Sequence, residues 1–324
     1  MKTRRLPGVG PDLSIIVQGA MGLLNLDDDS ALACLDAAHD VGIRAFDTAH
    51  IYAWGDRSVD ALLGRWIRDR GNRADVVLMA KGAHPEPPDW EAARVRPECV
   101  HEDVVDSLDR MQLDRLDVWS FHRDDASVPV SELVDAANAE ITAGRIDAWA
   151  VSNWASARIQ AAIDHAAANG LHGPVANSAH YSLVDQLVPQ WDDVVTLTGE
   201  IGATDREWHL ATGLPVIAWS ALAGGILSAN LRRVDFESAT DGHLAEVFRS
   251  YDGEENWARR ERAAEVAAER DVALSDVAIA WLLGSDLAPH AIVGGASPAE
   301  IRQNAEAANL HLSGEESAYI FGAP

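Results

Sequence analysis

The sequence predicts an α/β fold, a (β/α)8 TIM barrel with a long loop after the seventh strand, with residues 1–324 forming a single domain. Three observations predict it. Eight short apolar runs alternate with helix-patterned segments along most of the chain, and sustained strand–helix alternation indicates a parallel sheet that eight units can close. Most of the runs are continuously apolar, as in strands covered by helices on both faces. No GxGxxG follows the first run, which places the doubly wound open sheet second.

The strands are expected at 13–19, 43–47, 76–81, 116–122, 146–152, 175–177, 216–219 and 291–293, the sixth being the weakest run. The GVG at 8–10 precedes the first of them and reads as a turn. Between strands, 98–111 sets Val100, Val104, Leu108 and Met111 on one stripe behind Pro97, a residue suited to a first helical turn. Segment 129–143 repeats the stripe with Val130, Leu133, Val134, Ala137 and Ile141, and Gly144 then suits a left-handed stop. Gly42 and Gly170 end the helices before them in the same way. The rhythm breaks at 220–255, rich in Ser, Asp, Glu and Gly. Connections of that length without structure of their own serve as lids or stay disordered, and a lid over a ligand is the preferred reading.

Composition narrows the function. Apolar residues make up 48%, ample for a large core, while the net charge of −25 argues against nucleic acid or an anionic membrane as a partner. Cys34 and Cys99 fall in helix-like segments and read as buried, reduced thiols. The opening MKTRRLPGVG has the charges of an export signal, but the run that follows is broken by Gln18, Gly19 and Gly22. The expectation is therefore no export signal, no membrane span and a cytoplasmic protein.

The chemistry sits at strand ends. Asp47 in AFDTAHIY, Lys81 in VVLMAKG and His122 in LDVWSFH each close a predicted strand, and Tyr52 follows Asp47 by five residues. Parallel strands of one barrel bring these ends to one mouth. Singly, each has a structural reading: a helix cap, a solvated edge, a satisfied polar group, a core ring. Together they make a proton-transfer set. A tyrosine of pKa about 10 is a poor acid until a lysine ammonium lowers it, and an aspartate keeps that lysine charged and aimed. The set suits protonation of a carbonyl oxygen as hydride reaches carbon, or the reverse. His50, His84, His122 and His180 also permit a metal site with Asp47, although no HxH or HExxH specifies one and the expectation is no metal.

FDTAHIY, the lysine 29 residues after Tyr52 and the strand-end histidine resemble the Asp–Tyr–Lys–His tetrad of the aldo-keto reductase superfamily. VSNW at 151–154, GLPVIAWSALAGGIL at 213–227 and IVGGASPAEIRQN at 292–304 are similar to its later motifs in the same order, so the resemblance spans roughly 13–312. It implies Tyr52 as general acid, Lys81 tuning it, Asp47 holding Lys81 and His122 positioning the carbonyl. It also implies a nicotinamide cofactor extended across the mouth. Ser152 and Asn153 would bind the carboxamide, with Ser178 where the family usually has Gln. Trp219 would stack on the nicotinamide in place of the usual Tyr, and Ser220 and Leu222 would line the pyrophosphate path. Gly294 and Gly295 would let backbone approach, with Glu300 and Asn304 near the ribose. Many relatives carry Arg at the position of Glu300, where it grips a 2′-phosphate. A carboxylate there would favour a free 2′-hydroxyl, or it caps the helix as Ser297-Pro298-Ala299-Glu300 suggests. NADP is therefore expected on family habit, with NAD the alternative.

Val59, where many relatives carry Glu, is a further departure with no assigned consequence. Eleven Trp outnumber five Phe and four Tyr, and Trp54, Trp90 and His50 are candidates to face a sugar-like or aromatic substrate. The expected activity is NAD(P)-dependent interconversion of a small aldehyde or ketone and its alcohol. The alternatives are a cofactor-binding regulatory subunit of the same fold and, third, a metal-dependent hydrolase. Nothing in the sequence selects an oligomeric state or a favoured direction.

Overall fold

The computed structural model describes residues 1–228, 231–240 and 242–322. Its central sheet has eight strands: β1 (Ile16–Gly19), β2 (Ala45–Asp47), β3 (Val77–Gly82), β4 (Leu116–Phe121), β5 (Ile146–Ser152), β6 (Asn177–Ser178), β7 (Ile217–Ala218) and β8 (His290–Val293). All neighbours pair in parallel, with Gly19 beside Asp47, Asp47 beside Met79, Lys81 beside Ser120 and Phe121 beside Val151. β8 pairs with both β1 and β7. Bridges from Asn177 to Val216 and from His180 to Trp219 join β6 to β7 and close the ring. This is the expected (β/α)8 barrel.

Helices α1 (Asp28–Asp40), α2 (Val59–Arg70), α3 (Pro97–Met111), α4 (Val130–Thr142), α5 (Ser156–Asn169) and α6 (Ala203–Thr212) follow the first six strands in turn. Pro97 occupies the first turn of α3, and Gly170 ends α5 at a φ of 66°, which a residue with a side chain rarely adopts. α2 and α3 approach so closely that a Cβ on Gly64 would stand 2.1 Å from the Met111 carbonyl oxygen. No helix among the described residues is long and apolar enough to cross a membrane.

Side-chain parity along the strands sets up everything at the mouth. In a strand, alternate residues face opposite sides. Val17, Ala45, Val77, Met79, Val118, Ala148 and Ala150 fill the barrel interior, and Leu6, Val9 and Leu13 plug its lower end. The opposite parity, with Phe46, Leu78, Trp119, Phe121 and Trp149, packs against the helices. Continuing the inward parity upward gives Asp47 after Ala45, Lys81 after Met79, His122 two residues beyond Ser120 and Ser152 after Ala150. The barrel therefore turns polar only in its last layer.

Three expectations need correction. The run at 13–19 is not one strand: Leu13–Ser14 pairs antiparallel with Thr3–Arg4, and only Ile16–Gly19 joins the barrel. Ser14 causes the break, donating through Oγ to the Ile16 carbonyl at 2.6 Å and accepting from the Arg44 N–H at 3.0 Å. The sixth and seventh strands shrink to two residues each and lie at 177–178 and 217–218, because isolated bridges do part of the pairing there.

The third concerns 220–255, which is not a structureless loop. Positions 229, 230 and 241 of it lie outside the described residues. The rest holds α7 (Arg233–Glu237) and α8 (Gly242–Tyr251), followed by α9 (Glu254–Arg270) and α10 (Leu274–Gly284) before β8, with α11 (Pro298–Ala307) and α12 (Gly314–Phe321) after it. Ala223, Ile226, Leu227, Phe236, Val247 and Tyr251 form a second buried cluster with Trp257, Val277 and Ile320. Leu244, Val247, Phe248 and Tyr251 recur at helical spacing inside a polar composition, which is how one apolar face escaped notice.

Candidate active site

The loop after β2 is laced to β3 by its backbone. The Thr48 N–H donates to the Met79 carbonyl at 2.8 Å and the His50 N–H to the Lys81 carbonyl at 2.7 Å. A turn then returns the chain, Tyr52 N–H to Ala49 at 2.8 Å, and the Tyr52 carbonyl accepts from Val59 at the head of α2 at 2.9 Å. Tyr52 is thereby fixed above the strand ends, its ring centroid 5.5 Å from Lys81 Nζ. Lys81 donates to Asp47 Oδ1 in an ion pair whose two side chains are each 6% exposed. His122 lies edge-on to Tyr52, ring centroids 5.8 Å apart. The four residues read from the strand ends thus stand together.

Their electrostatics follow from burial and mutual charge. Burial works against the Lys81 ammonium, but Asp47 and the Tyr52 phenol outweigh it and hold its pKa above the ordinary lysine value. His122 is held well below the usual histidine range by burial, with Lys81, His84 and Arg123 adding to the effect, so it is a neutral imidazole at physiological pH. Tyr52 corrects the sequence reading. Lys81 does pull its pKa down, with Arg123 helping, but desolvation is larger and the phenol ends above its ordinary value of 10.0. In the free protein Tyr52 is therefore a phenol, not a phenolate.

The next strands supply a polar shelf. The Asn153 N–H donates to the Ser178 carbonyl at 3.0 Å, and Ser152 Oγ donates to the same carbonyl at 2.8 Å. Asn153, at a left-handed φ of 63°, bonds through its side chain on both sides: Nδ2 to the His122 carbonyl at 3.3 Å and to Ser152 Oγ at 3.1 Å, with Oδ1 accepting from Trp219 Nε1 at 3.2 Å and from the Val195 N–H at 3.3 Å. Ser178 Oγ is buried and has no partner among the described residues. Trp219 is half-buried, its ring backed by His180 and Trp191 at centroid distances of 5.1 and 5.9 Å. Ser220 follows at a φ of 51°, and both it and Leu222 are half-buried.

Gly294 is exposed at the end of β8, and Asn304 Nδ2 donates to its carbonyl at 2.9 Å. A Cβ on Gly295 would meet Ile301 at 2.8 Å. Ser297 caps α11 by accepting from the Glu300 N–H at 3.3 Å, and the Glu300 carboxylate accepts from the Ala296 N–H at 2.8 Å. Glu300 is therefore engaged as a cap while remaining exposed.

The three substrate candidates separate. Trp54 stands 85% exposed on a small hairpin. Trp90, 57% exposed, meets His84 edge-on, and His84 in turn packs on His122 at 4.7 Å, so a wall of rings leads from Trp90 to Tyr52. His50 turns away to α3, where Nε2 meets Asp106 at 2.7 Å. His180 is buried against Thr196 and Tyr251. The four histidines do not gather, and among the described residues no group of three or more His, Cys, Asp or Glu is placed to hold a metal ion. Cys34 and Cys99 are buried and unbridged.

Two mouth residues escaped sequence reasoning. His84 came up only as a metal ligand, yet it joins the ring wall, and burial with the nearby Arg123 charge lowers its pKa to about 4. Arg123 directly follows His122, and that adjacency was its only signal. A cavity of about 350 Å³ opens at the far end of the barrel among Pro7, Gly8, Trp149 and Val175, away from this chemistry.

The chain matches the model of a family described as "Aldo/keto reductase family" over residues 15–323. It is similar to an uncharacterized oxidoreductase, YrpG, of Bacillus subtilis (strain 168), at 25% identity over 97% of this chain and 93% of that protein. It is also similar to two probable voltage-gated potassium channel subunits beta. The one from Oryza sativa subsp. japonica is 28% identical and the one from Arabidopsis thaliana 27%, each over 88% of this chain and 84% of the relative.

Proposed function

This chain belongs to the aldo/keto reductase family of oxidoreductases, and from that premise we propose that it interconverts an aldehyde or ketone and its alcohol with a nicotinamide cofactor, Tyr52 serving as general acid and base. The observation that carries this reading is the convergence of Asp47, Tyr52, Lys81 and His122 in the one polar layer of the barrel. We read residues 1–324 as one domain that works inside the cell on a small molecule.

In the reducing direction Tyr52 gives its phenol proton to the substrate oxygen as the carbonyl becomes an alcohol. The Lys81 ammonium stabilises the phenolate left behind, and Asp47 keeps that ammonium charged and aimed at Tyr52. Neutral His122 positions the carbonyl by hydrogen bonding. For oxidation the proton moves back, and Tyr52 must first be deprotonated.

The residues present fit a nicotinamide cofactor. Ser178 Oγ is a buried hydroxyl without a partner among the described residues, which suits a carboxamide even though the side chain is short. Ser152 and Asn153 would share that amide. Trp219 would lie against the ring, Ser220 and Leu222 along the pyrophosphate, and Gly294, Gly295, Glu300 and Asn304 about the ribose. The cofactor, when bound, supplies or takes up the hydride. NADP is the cofactor proposed on family habit. NAD is the alternative because the Glu300 carboxylate is exposed where a 2′-phosphate would be repelled.

The test is turnover by the purified chain with NADPH and with NADH across aldehydes, ketones and sugars, including aromatic members that would exploit Trp54 and Trp90. A second reading, a cofactor-binding regulatory subunit without significant turnover, is favoured by the two relatives named as channel subunits. It predicts tight cofactor binding with no turnover of any member of the panel.

A further inference from the structure

Lys81, whose Nζ faces the Tyr52 ring, and Arg123, bonded to the His122 carbonyl, are two cations at the mouth, and they differ in one respect. Lys81 is neutralised by Asp47. Among the described residues, no carboxylate stands within ion-pair distance of Arg123, whose guanidinium donates only to the His122 carbonyl, at 3.0 Å. Its neighbours in sequence do not compensate, since Asp124 is taken by Arg158 at 3.2 Å. The nearest acidic influence is Asp193, exposed on the loop between β6 and α6 and screened by water.

The Arg123 backbone is held rigidly. Its carbonyl accepts from Trp154 Nε1 at 3.0 Å, and Trp154 is fully buried. The charge is also local to the site, because the guanidinium bonds the carbonyl of His122, whose ring lies edge-on to Tyr52. The guanidinium is half-buried, and its one hydrogen bond among the described residues leaves most of its five N–H donors free to take a ligand. The residues proposed for the nicotinamide come from β5 to β8, whereas Arg123 follows β4, on the same side as His122 and Trp90.

We infer that Arg123 is a specificity determinant that pairs with a carboxylate on the substrate, so that the preferred substrates are carbonyl compounds carrying an anionic group. This rests on the carbonyl-reducing reading above and names its substrate class. A planar carboxylate matches the guanidinium fork and would accept from its free donors, with the His84 and Trp90 rings packing the carbon frame between charge and carbonyl.

Two probes that differ in charge but not in frame test it: 4-carboxybenzaldehyde and methyl 4-formylbenzoate. The wild-type chain should show kcat/KM for the carboxylate at least about tenfold above the ester, and in Arg123→Met that ratio should collapse by about 10–100-fold, the range of one charge-assisted pair. Arg123→Lys, which keeps the charge but not the fork, should fall between. If Arg123 merely tunes Tyr52, the variant lowers both substrates equally and the ratio stays, which overturns the inference. So does a wild-type chain that favours the ester.

Calorimetric binding of the product-like 4-(hydroxymethyl)benzoate to the same proteins reads Arg123 without any turnover. A Kd that Arg123→Met leaves unchanged overturns the inference even if hydride transfer is never seen. A Kd weakened at least tenfold, with no turnover of either aldehyde, would sink the carbonyl-reducing reading while the anion site stands.

Discussion

Replacing Lys81 by Met separates the structural from the chemical work of the mouth. The Asp47 and Lys81 side chains are each 6% exposed and bonded to one another, so the substitution leaves a carboxylate buried without its cation. Breaking a buried pair from one side costs about 3–5 kcal/mol. With an unfolding entropy of roughly 0.7 kcal/mol/K, scaled from the per-residue average, that lowers Tm by roughly 4–7 °C. The double variant Asp47→Asn/Lys81→Met removes both charges and should recover most of that loss. Turnover should stay abolished in both variants, because neither keeps the Asp47-anchored ammonium that faces the Tyr52 ring and stabilises its phenolate. Thermal melts at several pH values add a control. The Lys81→Met penalty should shrink as pH falls from about 8 to 5, since protonating Asp47 removes the buried charge. A single variant as stable as wild type, or a double variant no better than the single, would refute the pairing argument.

Three further outcomes follow from the same geometry. Burial keeps the Tyr52 phenol protonated above its ordinary 10.0, so reduction should hold a plateau from about pH 6 to 9 while alcohol oxidation climbs about tenfold per unit; opposite slopes in the two directions would contradict it. Glu300→Gln should tighten NADPH relative to NADH by severalfold in direct binding measurements, and a wild-type NADPH preference of about a hundredfold would end the repulsion idea. His84, His122 and His180 are neutral when folded, with His84 near 4 and His180 near 3. Their contribution is whole above the unfolded pKa of about 6.5 and is lost as pH falls toward those values, so denaturant-derived stability should drop by about 1 kcal/mol per pH unit for His84 and for His180, with His122 acting in the same direction; a flat profile between pH 6.5 and 5 would contradict it.

What the sequence made legible was whatever depends on local pattern. Runs such as 76–81 and 116–122 are apolar on both faces, and their last inward positions are polar, so Asp47, Lys81 and His122 announced a shared layer. Burial at a distance left no such trace. Whether Lys81 or desolvation wins at Tyr52 depends on everything packed around the ring, and the sequence reading chose the wrong winner. Arg123 is one of many arginines until the structure shows which ones have partners. The segment at 220–255 misled because its composition is polar while its apolar residues are spaced to share one helical face. Glu300 read equally as cap or ribose ligand. The structure shows the cap bond, which leaves the ribose role to binding measurements.

The central claim is that Tyr52 moves the proton. Tyr52→Phe removes the phenol oxygen and keeps the ring against His122. Turnover should fall by about 10²–10⁴ while the cofactor Kd stays within a few-fold of wild type. A Tyr52→Phe variant that turns over at the wild-type rate would contradict it.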